Sequence, residues 1–254
     1  MLTAPYITGM AAAGFSGRQA GGFIAVLLLF FSRPPLALLL KRRRHRGTVR
    51  PDSFRLWLNF ALTAAPGTVL LGWLTLTDDL WWLPLFGAAG LLLFGAHRLA
   101  SARWRQRSAP AELLGIAMLT LTAPLADYLG SRPATRQALL LWLLNLVFFG
   151  ASIFYVKMKV SAAAKRGAKL KAAGRLRLAA WSLLYTIAMV VFAVAMVATG
   201  QAPVLTPLAF APMTGYGAFS MLTLSPVLRI KREGTVQTLI TVAFTGLMVL
   251  AYRL

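Results

Sequence analysis

The chain contains few of the residues from which proteins build catalytic and metal sites. Its 254 residues include no cysteine, two histidines and six acidic residues. The lack of cysteine excludes disulfides, thiolate metal sites and cysteine nucleophiles. Two histidines are too few for a histidine-rich metal site, and the acids form no cluster of the kind that holds Mg²⁺ on a diphosphate. We therefore expect no cofactor and no metal, and we assign no catalytic residue. Whether the protein is an enzyme stays open.

Long apolar runs dominate what is present. The chain is 58% hydrophobic and 13% charged, with a mean hydropathy of +0.69. A soluble domain is about 45–50% apolar and about 25% charged. The excess of apolar side chains requires a lipid environment, so the sequence predicts an all-α, polytopic transmembrane helix bundle. No loop is long enough for a separate soluble domain, and residues 1–254 are expected to form a single transmembrane domain.

Nine membrane spans are predicted from the apolar runs and the basic or turn-forming segments between them. Prolines and glycines are expected to break the eighth, at Pro207, Pro212, Gly215 and Gly217. The predicted spans are Leu2–Phe15, Gly21–Leu40, Phe54–Thr77, Leu80–Leu99, Ala109–Leu129, Thr135–Val156, Leu178–Thr199, Val204–Val227 and Thr235–Tyr252.

The basic residues give the chain an orientation. Of 27 Lys and Arg residues, 22 lie in the segments that follow even-numbered spans and four lie on the other side. Because short cytoplasmic loops are enriched in Lys and Arg, the N-terminus is predicted inside and the C-terminus outside a bacterial plasma (inner) membrane. This distribution also predicts membrane lipids with anionic headgroups as partners at the cytoplasmic face, and no nucleic acid. The oligomeric state is not determined by the sequence.

One cation lies inside an apolar run, in the stretch FFSRPPLALLLKRRRHR (30–46). Arg33 is about 10 Å from the inner end of its span, and Pro34 and Pro35 remove two backbone donors directly after it. Under one interpretation Arg33 extends to the inner interface. Under the other, the helix is broken, Ser32 caps a second half-helix, and its N-terminus joins Arg33 in an anion site.

Further cations end two other even-numbered spans. Ordinary positive-inside charge explains these cations. The alternative is that they converge with Arg33 on one cytoplasmic-facing mouth for an anionic headgroup. Glu112 and Glu233 are expected to favour helix N-termini, and Asn145 to form a hydrogen bond between helices. Together with Arg33, the candidate ligand-binding residues are Lys157, Lys159, Arg229 and Lys231.

Three stretches of the chain resemble the YwiC-like family of bacterial integral membrane proteins: FFSRPPLALLLKRRRHRG (30–47), AELLGIAMLT (111–120) with NLVFFGASIFYVKMKV (145–160), and RIKREGTVQTLITVAF (229–244). The resemblance implies no known biochemical activity. Members of the family have an N-terminal segment of the type Glu-His-Gly-Ala-Trp. This chain opens at MLTAPY, and we expect its start to be truncated.

The predicted architecture is similar in span count and orientation to UbiA-type prenyltransferases, although their Asp-rich motifs have no match here. The favoured hypothesis is a membrane protein with a cytoplasmic-facing cationic cavity for an anionic lipid or isoprenoid-like ligand. A divergent UbiA-like prenyl or lipid transferase without Asp-rich motifs, and a small-molecule transporter with a pathway through the eighth span, are the alternatives.

Overall fold

A computed structural model describes residues 2–44, 53–103, 108–132, 136–164, 172–223 and 230–254. Within these ranges the chain forms eleven α-helices and no strand. The helices are α1 (Thr3–Ala13), α2 (Gly17–Phe31), α3 (Arg33–Arg44), α4 (Ser53–Thr77), α5 (Leu83–Arg103), α6 (Ala109–Thr120), α7 (Thr122–Ser131), α8 (Arg136–Ala164), α9 (Ala172–Ala198), α10 (Thr206–Leu222) and α11 (Ile230–Arg253). The prediction of an all-α helix bundle is confirmed.

Two pairs of helices are each separated by a single residue with helical backbone angles. Ser32 lies between α2 and α3 with φ −73° and ψ −15°, and Leu121 lies between α6 and α7 with φ −58° and ψ −16°. Prolines follow both residues within three positions, and each proline removes one helical backbone hydrogen bond. Each pair therefore corresponds to one predicted span, and the eleven helices match the nine predicted segments.

Seven of these segments are long and apolar enough to cross a membrane. The remaining two, α1 with 11 residues and α10 with 17 residues, are shorter. The predicted break in the eighth span is wrong, because α10 is one helix with Pro212 inside it. The seven candidate spans are Gly17–Leu39, Phe54–Thr77, Leu83–Arg103, Ala109–Ser131, Arg136–Ala164, Gly174–Ala198 and Lys231–Arg253.

The centre of the bundle is formed by the α6–α7 pair and α8. Buried residues make up 61% and 56% of their most apolar stretches, against 11% to 22% in the other five candidate spans. Phe148 of α8 stacks on Phe244 of α11 with ring centroids 3.7 Å apart, and Phe210 of α10 packs edge-on against both rings. This aromatic group fixes α8, α10 and α11 against one another.

Helix α1 approaches α7 closely because small residues face each other. A side chain on Gly9 would collide with the carbonyl oxygen of Ala123, so the two backbones are in direct contact, as in small-residue packing of membrane helices. Asn145 of α8 donates a hydrogen bond of 3.0 Å to the hydroxyl of Thr8. The interhelical hydrogen bond predicted for Asn145 is therefore confirmed, and it joins α1 to the central helix.

Contacts between helix ends agree with the predicted alternation of the chain. At the end predicted to face outside, Arg132 lies 3.8 Å from Asp78, and the guanidinium of Arg253 lies over the ring of Phe15. At the end predicted to be cytoplasmic, α8 forms an ion pair with the start of α6 and another with the start of α11. Segments assigned to one side of the membrane are thus neighbours in the fold. The assignment of that side as cytoplasmic still rests on the Lys and Arg count.

Candidate functional site

The side chain of Arg33 is half-buried between α3, α5 and α6. Its guanidinium lies 5.4 Å from the ring centroid of Phe30 and 6.0 Å from that of Phe94, and it contacts the sulfur of Met118. No acidic side chain in the part of the chain that the structure describes lies within ion-pair distance of it. Arg33 is therefore a cation with soft, polarisable neighbours and no described carboxylate partner.

Arg33 lines a pocket of about 470 Å³ together with residues from α5, α6 and α8. The other charged residues of this pocket are Lys157 and Glu112, which form an ion pair of 3.1 Å. Their side chains are 36% and 34% exposed, so the pair is open to solvent or to a ligand. With Arg33 included, the pocket holds two cations and one carboxylate, an excess of positive charge. We call it the Arg33 pocket.

His97 adds a further polar group to the Arg33 pocket. Its Nδ1 lies 2.7 Å from the carbonyl oxygen of Ala111. A carbonyl oxygen only accepts hydrogen bonds, so Nδ1 carries the hydrogen and Nε2 is the nitrogen available to another partner. The contact also ties the end of α5 to the first turn of α6. The side chain is therefore held in a fixed orientation at the wall of the pocket.

The chain divides into α2 and α3 at Ser32, as the broken-helix interpretation predicts, but Ser32 does not cap the second helix as that interpretation requires. Ser32 has helical backbone angles and its hydroxyl donates 2.7 Å to the carbonyl of Leu29, so it does not act as an N-cap. The next available backbone donor, Leu36 N–H, bonds to the carbonyl of Ser32. The N-cap of that interpretation is wrong because the prolines supply no N–H for a cap and Ser32 keeps helical backbone angles. Any anion here would be bound by side chains.

Lys159 lies in a different polar cluster, between α8, α10 and α11. Its Nζ is 3.4 Å from Oε1 of Glu233, while the hydroxyls of Tyr155 and Tyr216 donate to Oε2 at 2.7 and 3.0 Å. Ser220 lies 3.1 Å from the hydroxyl of Tyr155. The ammonium group neutralises the carboxylate, and the two tyrosine hydroxyls satisfy its hydrogen-bonding capacity. The cluster, which we call the Glu233 cluster, is therefore a closed polar contact between three helices.

The remaining candidate residues are outside both clusters or outside the described ranges. Lys231 is exposed in the first turn of α11, and Arg229 lies outside the described residues. The structure thus brings Arg33 and Lys157 together in one pocket and places Lys159 against Glu233. Lys157 and Lys159 are two residues apart, and residues at that spacing do not share a helix face.

Sequence reasoning did not assign His97 or Glu112 to this pocket. The sequence carries one weak signal for Glu112: it is among only six acids beside 27 cations, so a cationic partner is to be expected. Which cation it would meet depends on how α6 packs on α8, and a single sequence does not show that packing. Among the described residues, no group of three His, Cys, Asp or Glu side chains is placed to hold a metal ion.

Comparison with known proteins gives one family match. A family model described as YwiC-like protein matches residues 1–127, which is half of the chain. The match contains two of the stretches that carry the sequence resemblance, 30–47 and 111–120, and its range also covers Arg33, His97 and Glu112. No curated protein matches the chain, and no solved structure does. The similarity to UbiA-type architecture therefore stays a prediction.

Proposed function

The chain belongs to the YwiC-like protein family, and we propose that it is a multi-pass protein of the bacterial inner membrane that binds an anionic lipid or isoprenoid-like ligand. The anionic group is bound in the Arg33 pocket, near the cytoplasmic face. The observation that supports this proposal most directly is the position of Arg33, a half-buried guanidinium that contacts aromatic rings and a methionine sulfur.

A cation in an apolar span is costly unless it is paired or reaches water. Arg33 lines a pocket that already contains Lys157 and Glu112, and the carboxylate of Glu112 is bound to Lys157 at 3.1 Å. A ligand with a phosphate or carboxylate group would supply the missing negative charge. A guanidinium is well suited to this role because it donates two parallel hydrogen bonds to such groups.

Lys157 and His97 complete the binding site under this proposal. Lys157 is a second cation for the ligand, although its ion pair with Glu112 offsets part of its charge. His97 has its Nδ1 bound to the backbone of α6, so Nε2 accepts or donates one further hydrogen bond at the pocket wall. None of these roles requires a bond to be broken, so the site as described supports binding rather than a reaction.

Native mass spectrometry of the purified protein tests the proposal. The wild type should retain anionic lipid in preference to a zwitterionic lipid with the same chains, and Arg33→Ala should lose most of that retention. Arg98→Ala is the matched control, because Arg98 is exposed and adjoins His97 without lining the pocket. Equal retention by the wild type and Arg33→Ala would contradict the proposal.

A further inference from the structure

A second cavity adjoins the Arg33 pocket along α8. It is a groove of about 690 Å³ between α1, α8, α10 and α11. Its walls include Ile7, Phe148, Phe149, Val242 and Val249, which are all apolar. Ser152 of α8 lines both the groove and the Arg33 pocket. The two cavities are therefore neighbours, one cationic and one apolar.

Three threonines of α11 line the groove, but their hydroxyl groups add little polarity to its surface. The hydroxyls of Thr238, Thr241 and Thr245 each donate to the carbonyl four residues earlier in their own helix, at 2.8 to 2.9 Å. Ser152 likewise donates 2.6 Å to the carbonyl of Phe149. Because these hydrogens are used within the helices, the side chains offer methyl groups and weak acceptors to the groove. Such a surface suits a hydrocarbon chain better than a polar solute.

One polar atom in the groove has no hydrogen-bond partner. The amide nitrogen Nε2 of Gln237 is buried and makes no hydrogen bond to the described residues. Tyr155 contacts Glu233 and Phe148 stacks on Phe244, and these antiparallel contacts place Ser152 at the same level as Gln237. An unused donor therefore lies beside the junction of the two cavities, where a ligand's polar linkage would pass from head to chain.

The length of the groove fits a membrane lipid. Its lining on α11 extends from Gly234 to Val249, about 22 Å at the helical rise. One leaflet is about 15 Å deep, half of the about 30 Å hydrocarbon core. We infer that the groove along α11 binds the hydrocarbon chain of an anionic membrane lipid whose head occupies the Arg33 pocket, with Gln237 donating to an oxygen of the linkage. This inference rests on the proposed function, to which it adds the chain and linkage sites.

Photo-crosslinking with phosphatidylglycerol that carries a diazirine near the end of one acyl chain tests the inference. In nanodiscs, mass spectrometry of the labelled wild type should locate the label mainly on the groove-lining part of α11. Gly246→Leu should reduce that label by about fivefold or more, the effect of losing about 1 kcal/mol of binding. A Cβ at Gly246 meets no atom within 4 Å, so the new side chain enters the groove without displacing the backbone.

Gly87→Leu is the matched control, since Gly87 is an exposed helical glycine on α5 that likewise has open space around it. Thr238→Phe, at an exposed position of the groove, provides a second obstructing variant should Gly246→Leu fail to fold. Both obstructing variants should lower the groove label, and Gly87→Leu should not. Label spread evenly over α11 and the exposed face of α9, and unchanged in both obstructing variants, would overturn the inference and indicate bulk lipid contact only.

The two proposals fail in different ways. If lipid retention depends on Arg33 but the obstructing variants leave the amount of groove label unchanged, the proposed site for the hydrocarbon chain is wrong and the proposed function stands. If retention is indifferent to Arg33, the proposed function fails, and the inference that depends on it fails with it. If inorganic phosphate competes fully with the lipid at the same concentration, the chain contributes no affinity and the groove is not its binding site.

Discussion

At the scale of single residues, two kinds of cation can be distinguished: those whose charge orients the chain and those whose charge is available to a ligand. Lys159 is neutralised by Glu233, and Lys157 is paired with Glu112. Arg33 has aromatic and sulfur contacts instead. The position of Arg33 within an apolar run is visible in the sequence and identifies it as unusual. Its neighbours come from α5 and α6, so their identity depends on tertiary packing.

Removing the carboxylate from the Arg33 pocket should strengthen anion binding. In Glu112→Gln the pocket keeps Arg33 and Lys157 but loses the negative charge that competes with a ligand for Lys157. An exposed ion pair contributes up to about 1 kcal/mol, so retention of anionic lipid should rise by up to about fivefold. Lipid titration monitored by native mass spectrometry measures the change. The matched control is Asp79→Asn, which removes the same charge at an exposed position that does not line the pocket and should leave retention unchanged.

The hydroxyl of Tyr155 should contribute measurably to stability. Tyr155→Phe removes a 2.7 Å hydrogen bond to Glu233 and deprives Ser220, which is 1% exposed, of its contact at 3.1 Å. A buried polar group left without a partner costs about 1–3 kcal/mol, so thermal unfolding in detergent should shift down by several degrees. Tyr185→Phe loses only a 3.1 Å hydrogen bond to a helical carbonyl and should lower the unfolding temperature less. Equal shifts would argue against a special role for the Glu233 cluster.

At the scale of helices, the sequence predicts the positions of the helices better than the effects of the prolines within them. Most helices begin and end close to the predicted spans because long apolar runs between basic segments leave little choice. The exceptions are α8, which extends beyond Val156 to Ala164, and α9, which begins at Ala172, before Leu178. The proline effects were predicted less well. Pro34 and Pro35 follow a serine that stays helical, and Pro212 lies inside α10. Neighbouring helices and serine or threonine side chains satisfy the backbone around prolines in membrane helices, and this compensation is not visible in local sequence.

Adding one methyl group to α1 should loosen its contact with α7. Gly9→Ala places a Cβ against the carbonyl oxygen of Ala123, so the helices must separate, and overpacking of this kind costs about 1–3 kcal/mol. The midpoint of thermal unfolding should fall accordingly. Gly87→Ala, at an exposed helical position with open space, should leave the midpoint unchanged or raise it slightly. An unchanged midpoint for Gly9→Ala would show that the α1–α7 contact is looser than described.

At the scale of the whole molecule, the charge pattern and the fold agree on which ends of the helices lie together. Arg132 meets Asp78 at one end, and Lys157 meets Glu112 at the other, as the alternation of nine segments predicts. The family and fold class were also predictable from the sequence. The division of Arg33, Lys157 and Lys159 between the Arg33 pocket and the Glu233 cluster was not predictable, because it depends on the rotation of α8 about its axis.

Orientation can be measured directly because the native chain has no cysteine. Single variants Asp79→Cys and Leu254→Cys should react with a membrane-impermeant maleimide added to intact cells, and Arg103→Cys and Ala164→Cys should react only after the cells are opened. The reason is that short basic loops are retained in the cytoplasm. The inverse labelling pattern would place the Arg33 pocket at the outer face and contradict the cytoplasmic assignment.

The most direct test of the central claim is an experimental structure of the protein in nanodiscs that contain anionic lipid. We expect density for a headgroup within hydrogen-bond distance of the Arg33 guanidinium and the Lys157 ammonium, continuing past Ser152 into the groove along α11. An empty pocket, with Arg33 extended to the inner interface as an ordinary interfacial cation, would contradict the account.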